Sequence, residues 1–177
     1  MNTTEWKPLD VIDCSNYMVS SQGEVLHQTS GRLKEPSLNQ YGTYFVNLTD
    51  DFGKQRSFPV ASLVAYAFLG MSGLQPGHNT LIYKDGNREN YTLDNLAYRT
   101  RSYAIRYNKY FASGDKFEAN ARFPLESEDR DGQIQHFDTL LEAAVYHGVL
   151  PEDIVISMHH ERPVYIVDGL RFRNRRR

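Results

Sequence analysis

Between Tyr41 and Leu69 the chain changes periodicity twice. Tyr41 to Leu48, Y-G-T-Y-F-V-N-L, is rich in residues that favour extended backbone. Asp50-Asp51-Phe52-Gly53 supplies a hairpin turn, and Gln55 to Val60 returns as a second strand. Val60 to Leu69, V-A-S-L-V-A-Y-A-F-L, then sets apolar residues at helical spacing until Gly70 stops it. A lone hairpin is at best marginally stable in water, so these pieces must share one core. The reading is an α+β fold built on a small antiparallel sheet.

The flanking segments follow the same style. N-Y-M-V-S-S-Q-G-E-V-L-H alternates and breaks at Gly23, where a turn fits. Gly31-Arg32-Leu33-Lys34 precedes another turn. Leu81 to Lys84 reads as a short strand, Asp85-Gly86-Asn87 as a tight turn, and Thr92 to Leu96 as the start of a helical segment. Residues 99–123 are basic and aromatic, compatible with short helices or an extended arm. Residues 124–133, P-L-E-S-E-D-R-D-G-Q, are the expected linker, dividing a domain over 1–123 from a module over 134–177. In that module Asp138 or Thr139 caps a helix from Leu140 to Tyr146, and Gly148 ends it. Pro151 opens a second helix to about Met158. Asp168-Gly169 between Val164–Val167 and Leu170–Phe172 is a hairpin signal. Helix, turn, helix and hairpin outline a small helix-turn-helix module.

With 177 residues, 40% hydrophobic and 24% charged, the chain has the composition of a globular protein. No apolar run reaches the ~18 residues of a membrane span, and Met1 to Pro8 has no signal-peptide core. A cytoplasmic location is expected. Cys14 is the single cysteine, which excludes an internal disulfide and a cysteine zinc site. The net charge of −2 is unhelpful for binding nucleic acid, but its distribution is uneven. Residues 99–122 hold six Lys+Arg against two Asp+Glu, whereas 1–98 and 123–177 each hold seven against ten. Phosphate contacts should concentrate in that middle stripe.

Three segments resemble phage-type HNH homing endonucleases, in the family's order. Glu5-Trp6-Lys7 and Tyr17 to Val25 resemble an N-terminal module. Leu63-Val64-Ala65-Tyr66-Ala67-Phe68, Lys84-Asp85-Gly86-Asn87, Asn90, Asn95-Leu96 and Thr100 resemble the HNH core. Phe137 to Phe172 resembles the C-terminal helix-turn-helix module. The resemblance implies a ββα-metal core, with a His activating water and oxygen ligands holding a divalent ion against the scissile phosphate. In this sequence the matching positions are Ile82 and Tyr83 before the Lys-Asp-Gly-Asn run, Ala61 before the Leu-Val-Ala helix, and Ala104 beyond the Thr. The core is therefore expected to be degenerate, with no metal and no cofactor. Asp85, Gly86, Asn87 and Asn95 read as turn and cap residues; Asp85 as a surviving ligand is the competing reading. Of the six histidines, the adjacent pair His159 and His160 lacks the i, i+4 spacing of a helical zinc site. His78 is a loop residue that could replace the missing base.

Candidate DNA contacts are Asn39, Gln40, Tyr41 and Lys54 on the N-terminal sheet, and Arg99, Arg101, Arg106, Tyr107 and Lys109 in the basic stripe. Ser157, His159 and Arg162 are the candidates in the C-terminal module, whose acidic Glu152 and Asp153 would face and repel DNA. The expected function is a catalytically inactive phage or mobile-element protein that binds duplex DNA without cutting it, in a regulatory or repressor role. The main competitor is a phage inhibitor of a host protein, such as transcription machinery or a defence factor. The third reading is a residual metal-dependent endonuclease using His78 or Asp85.

Overall fold

The computed structural model describes residues 4–71, 76–114, 118–164, 166–167 and 169–175. It divides into two compact units, one of residues 1–83 with 87–101, the other of 84–86 with 102–177.

The first unit contains three small sheets and a helix. Strands β1 (Trp6–Leu9), β2 (Cys14–Ser20), β3 (Val25–His27) and β4 (Arg32–Lys34) form an antiparallel meander in sequence order. Strands β5 (Ser37–Leu38), β6 (Tyr44–Thr49) and β7 (Gln55–Pro59) form a second antiparallel sheet. Helix α1 (Val60–Leu69) follows β7 directly and buries Val60, Ala61, Leu63, Val64 and Ala65. Val60, Ala61, Leu63 and Val64 pack with Leu9, Tyr17, Val19, Val25, Val46 and Leu48 into one core. Strands β8 (Thr80–Tyr83) and β9 (Leu96–Arg99) pair antiparallel as the third sheet. Cross-links hold the pieces in register. The Tyr17 hydroxyl accepts from the Thr49 amide at 3.3 Å. The Leu93 amide donates to the Ser21 carbonyl at 2.8 Å. Gly23 has φ +87°, and a Cβ there would meet the Tyr91 ring at 2.3 Å, so both backbone and space demand glycine.

The second unit is a three-stranded sheet with three helices. Helix α2 (Arg101–Ala112), whose first residue belongs to the first unit, buries Tyr103, Ala104 and Tyr107. Strands β10 (Arg122–Glu128), β11 (Ile134–Thr139) and β12 (Arg171–Asn174) lie in the order β11-β10-β12, all antiparallel. Helices α3 (Leu140–His147) and α4 (Pro151–His160) pack on each other, α3 also on β10 and β11 and α4 on β12. Their core includes Leu125, Phe137, Ala143, Ala144, Ile154, Leu170 and Phe172. The α3 cap is Thr139, whose hydroxyl accepts from the Glu142 amide at 3.0 Å. Gly148 closes α3 in the left-handed region.

The α+β class, the early hairpins, α1 and the helix pair agree with the sequence reading. Four details differ. Residues 124–128 are not linker but part of β10, which pairs on both sides; the turn to β11 occupies 129–133. Only Leu93–Asn95 makes a 3-10 turn, and the chain then runs into β9 rather than a helix. The basic segment is neither extended nor in short pieces through 101–112, where it is one helix. Among the described residues of 164–170 there is no strand, and Phe172 instead pairs with β10 across from Ser127. Tyr165 and Asp168 of the expected hairpin, and Arg176 and Arg177, lie outside the described residues.

Candidate nucleic-acid interface

In the first unit the β6–β7 hairpin determines what faces outward. Cross-strand partners share a face in an antiparallel pair. Val46 pairs with Phe58 on the core side, so Asn47 with Ser57 and Thr49 with Gln55 lie on the other. All four of these are exposed, uncharged and able to donate and accept hydrogen bonds. The hairpin tip is rigid. The buried Asp50 carboxylate accepts from the Phe52 and Lys54 amides at 3.1 and 2.8 Å and meets Arg56 Nε at 2.9 Å. Lys54 projects from this tip, exposed and with no ion pair among the described residues. At the β5–β6 turn Asn39 is committed to the fold: its Oδ1 accepts from the Tyr41 and Thr43 amides at 2.9 and 3.0 Å. Gln40 and Tyr41 project, Tyr41 with 71% of its surface exposed.

Strand β8 carries Ile82 and Tyr83, two of the four positions expected to have lost catalytic groups. Ile82 is fully buried and Ala61 nearly so. Tyr83 is half-buried; burial raises its phenol above the ordinary value, partly opposed by Arg88, so it is an even poorer base than a free tyrosine. The connection is held by its own amides: Asn95 Nδ2 donates to the Asn90 carbonyl at 2.7 Å, and Asn87 Oδ1 accepts from Glu89 at 3.0 Å. His78 is buried; burial and the Arg99 cation lower its pKa, against a hydrogen bond with the Tyr98 backbone. Arg99 is itself buried and donates to the Tyr98 carbonyl at 2.7 Å. Its place in the expected phosphate stripe is therefore corrected to a packing role. Arg101 is exposed.

In the second unit the α2 stripe splits by face. Tyr107 is fully buried, and its hydroxyl donates to the Lys84 carbonyl at 2.6 Å, so it is not a DNA contact. Gly86, at φ +76°, lies so close to Phe111 that a Cβ would stand 2.6 Å from its side chain. Residues 84–86 thus act as a clasp on α2, and Ala104 is buried in the same helix. Arg106 pairs with Glu152 at the surface, which neutralises it. Lys109 remains exposed.

The C-terminal module also needs revision. Asp153 is buried and accepts from the Tyr103 hydroxyl at 2.6 Å; it does not face outward. Burial raises its pKa, while the Tyr103 hydrogen bond and Arg106 lower it. Ser157 is buried and donates to the Arg162 carbonyl at 2.6 Å, a structural bond rather than a DNA contact. His159, His160 and Arg162 are exposed. Among the described residues no three or more His, Cys, Asp or Glu side chains group as a metal site. The alkyl groups of Ile82, Ala61 and Ala104 offer no oxygen to a hard cation, so these positions do not fit a divalent ion.

The NUMOD4 motif, found in homing endonucleases, matches residues 5–49, the stretch from β1 through β6. A solved structure described as DNA binding and cleavage by the HNH homing endonuclease I-HmuI superposes with a TM-score of 0.52. The match covers 98% of this chain and 99% of that one at 22% identity. The fold is that of an HNH homing endonuclease. No curated protein matches the sequence. Among the described residues no helix is long and apolar enough to cross a membrane. The outward row Asn47, Thr49, Gln55 and Ser57 was missed by sequence reasoning, although the period-two alternation of β6 signals it.

Proposed function

We propose that this chain binds duplex DNA without cleaving it, as a regulatory protein of a phage or mobile element. The observation that carries the reading is the outward face of β6 and β7. A two-stranded ribbon fits the major groove, where amide side chains pair with adenine and hydroxyls pair with several bases. Asn47, Gln55, Thr49 and Ser57 form such a face, with Lys54 at the tip to meet phosphate. Arg101 and Lys109, both exposed, are cations of the stripe able to neutralise phosphate. The neighbour described as binding and cleaving DNA supports the DNA partner. Loss of cleavage is supported by Ile82, Tyr83, Ala61 and Ala104, which supply no metal ligand and no base at neutral pH.

A gel shift across unrelated duplexes at low and moderate salt tests the reading. The wild type should bind all of them at low salt, one sequence class more tightly. Asn47→Ala with Gln55→Ala should erase that preference, at about 1–3 kcal/mol per lost base contact. Supercoiled plasmid with Mg²⁺ or Mn²⁺ should stay intact. Absence of binding at low salt sinks the proposal; metal-dependent nicking abolished by His78→Ala or Asp85→Ala would instead support the residual-nuclease reading.

A second reading has its own observation. Val155 and Ile156 on α4 are 49% and 48% exposed, where a groove-reading helix would carry polar groups. That pair suits a host protein partner. Capture of one host protein that survives nuclease treatment and is lost with Val155→Ser plus Ile156→Ser would favour inhibition over DNA binding.

A further inference from the structure

The end of α4 that a helix-turn-helix would present to DNA is closed, since Glu152 is paired with Arg106 and Asp153 is buried. The opposite end is open. We propose that the cleft between the last turn of α4 and the edge strand β12 binds the DNA phosphate backbone through Arg162 and Arg171, with Arg175 beyond it on the same strand row. The proposal rests on the DNA-binding reading and extends it to a second surface.

The cleft has a volume of ≈ 490 Å³, and its lining includes Met158, Glu161, Arg162, Arg171, Arg173 and Asn174. Among the described residues strand β12 lies at the sheet edge, paired with β10 alone. Its alternation sends Phe172 inward, 5.5 Å from the His147 ring, and Arg171 and Arg173 outward. The Arg175 amide donates to the Pro124 carbonyl at 3.2 Å, which prolongs the ladder and sets Arg175 on the same outward row. Successive members of that row are about 6.6 Å apart, two strand residues.

Pairing decides which of these cations is available. Arg173 is held by Glu126 and, at 3.3 Å, by Glu128; His136 also approaches Glu126 at 3.5 Å. Both strand carboxylates are thereby occupied. Arg171 stands across from Glu128 in the register, yet among the described residues it makes no ion pair, nor do Arg162 and Arg175. In the lining, the two uncommitted guanidinium groups of Arg162 and Arg171 outnumber the one uncommitted acid, Glu161. Arg162 is presented by a fixed loop: its amide donates to the Ser157 carbonyl at 3.2 Å, its carbonyl accepts from the Ser157 hydroxyl, and Glu161 before it is left-handed at φ 52°. Ser157 is thus a positioning residue for this cation. A free nucleotide would need a ring to stack on, and the one aromatic residue lining the cleft, Phe172, is buried. Arg171 and Arg175, on either side of the committed Arg173, and the loop residue Arg162, without a stacking platform, suit phosphates spaced along a backbone.

The test compares wild type, Arg162→Gln/Arg171→Gln and Arg162→Lys/Arg171→Lys on unrelated duplexes over a salt series. The Gln variant should reduce the slope of log affinity against log salt by about 1.8, from roughly 0.9 per phosphate contact, and weaken binding about 60-fold at 0.1 M salt. The loss should be equal on all sequences, because phosphate contacts carry no base information. The Lys variant should keep the wild-type slope. Thermal melting should be unchanged, since neither arginine has an internal partner. A Gln variant that binds with the wild-type slope overturns the cleft alone, as does a loss that varies with sequence. A wild type that binds no duplex at low salt overturns the DNA reading and the cleft with it.

Discussion

Tyr103→Phe removes one oxygen from the second unit and should cost more than its size suggests. The Tyr103 hydroxyl is the hub of a buried triad: it donates to Asp153 Oδ2 at 2.6 Å and accepts from the Leu150 amide at 2.7 Å. Tyr103, Leu150 and Asp153 are all buried, so water cannot replace the oxygen without repacking. Leaving a buried donor unsatisfied costs about 1–3 kcal/mol, and a charged acceptor lies at the upper end. The expected destabilisation is about 3 kcal/mol, roughly a hundredfold in the folding equilibrium. Trp6 lies in the other unit, so its fluorescence is the wrong probe. Hydrogen exchange at the Leu150 amide reads the triad directly and should accelerate by about two orders of magnitude. The pH dependence is a second readout. Burial already raises the Asp153 pKa, and the lost hydrogen bond had been lowering it. A raised folded pKa gives stability that is present below the unfolded carboxylate value and fades as pH rises through the folded one. The variant should therefore lose stability more steeply than wild type on going from acid to neutral pH. Unchanged Leu150 protection together with a change under 0.5 kcal/mol would refute the triad.

Three further outcomes follow from the geometry. Asp50→Ala should cost about 2–3 kcal/mol, because two backbone amides and Arg56 lose a buried carboxylate, and should blunt sequence preference by loosening the β6–β7 tip; denaturant melts and the duplex panel measure both. His78 should titrate below the ordinary histidine range by NMR; its lowered folded pKa gives stability that is present above the ordinary value and lost as pH falls through the folded one, and His78→Asn should flatten that loss. Burial and then the neighbouring Asp51 carboxylate raise the Cys14 thiol, so it should react with a disulfide reagent far more slowly in the native protein than in denaturant; equal rates would contradict its burial.

Much of the fold was legible because its signals are local. Asp50-Asp51-Phe52-Gly53, the Val60–Leu69 run and Thr139 with Gly148 each specify an element through their own neighbours. Strand β10 was not legible for the opposite reason. Its Glu126 and Glu128 read as solvated linker, and become strand residues through ladders to β11 and to the distant β12, whose Arg173 meets both carboxylates. The candidate site shows the same limit. Tyr107, Ser157 and Asp153 are polar residues turned inward, and what fixes their direction is a carbonyl or hydroxyl elsewhere in the chain. Composition marks 99–122 as basic, but burial of Arg99 and the Glu152 partner of Arg106 decide which cations remain for a phosphate.

The Lys84–Gly86 clasp bears on how such a chain can be divided. Modular proteins exchange parts most easily where one cut separates two continuous segments. Here the chain enters the second unit for three residues, returns to the first, and leaves it again after Arg101. A fragment beginning at Ser102 would lack the carbonyl that Tyr107 bonds and the glycine that Phe111 covers. A cut before Lys84 would instead strip residues 87–101 from the first unit and part β9 from β8, so no single cut in this stretch yields two whole units.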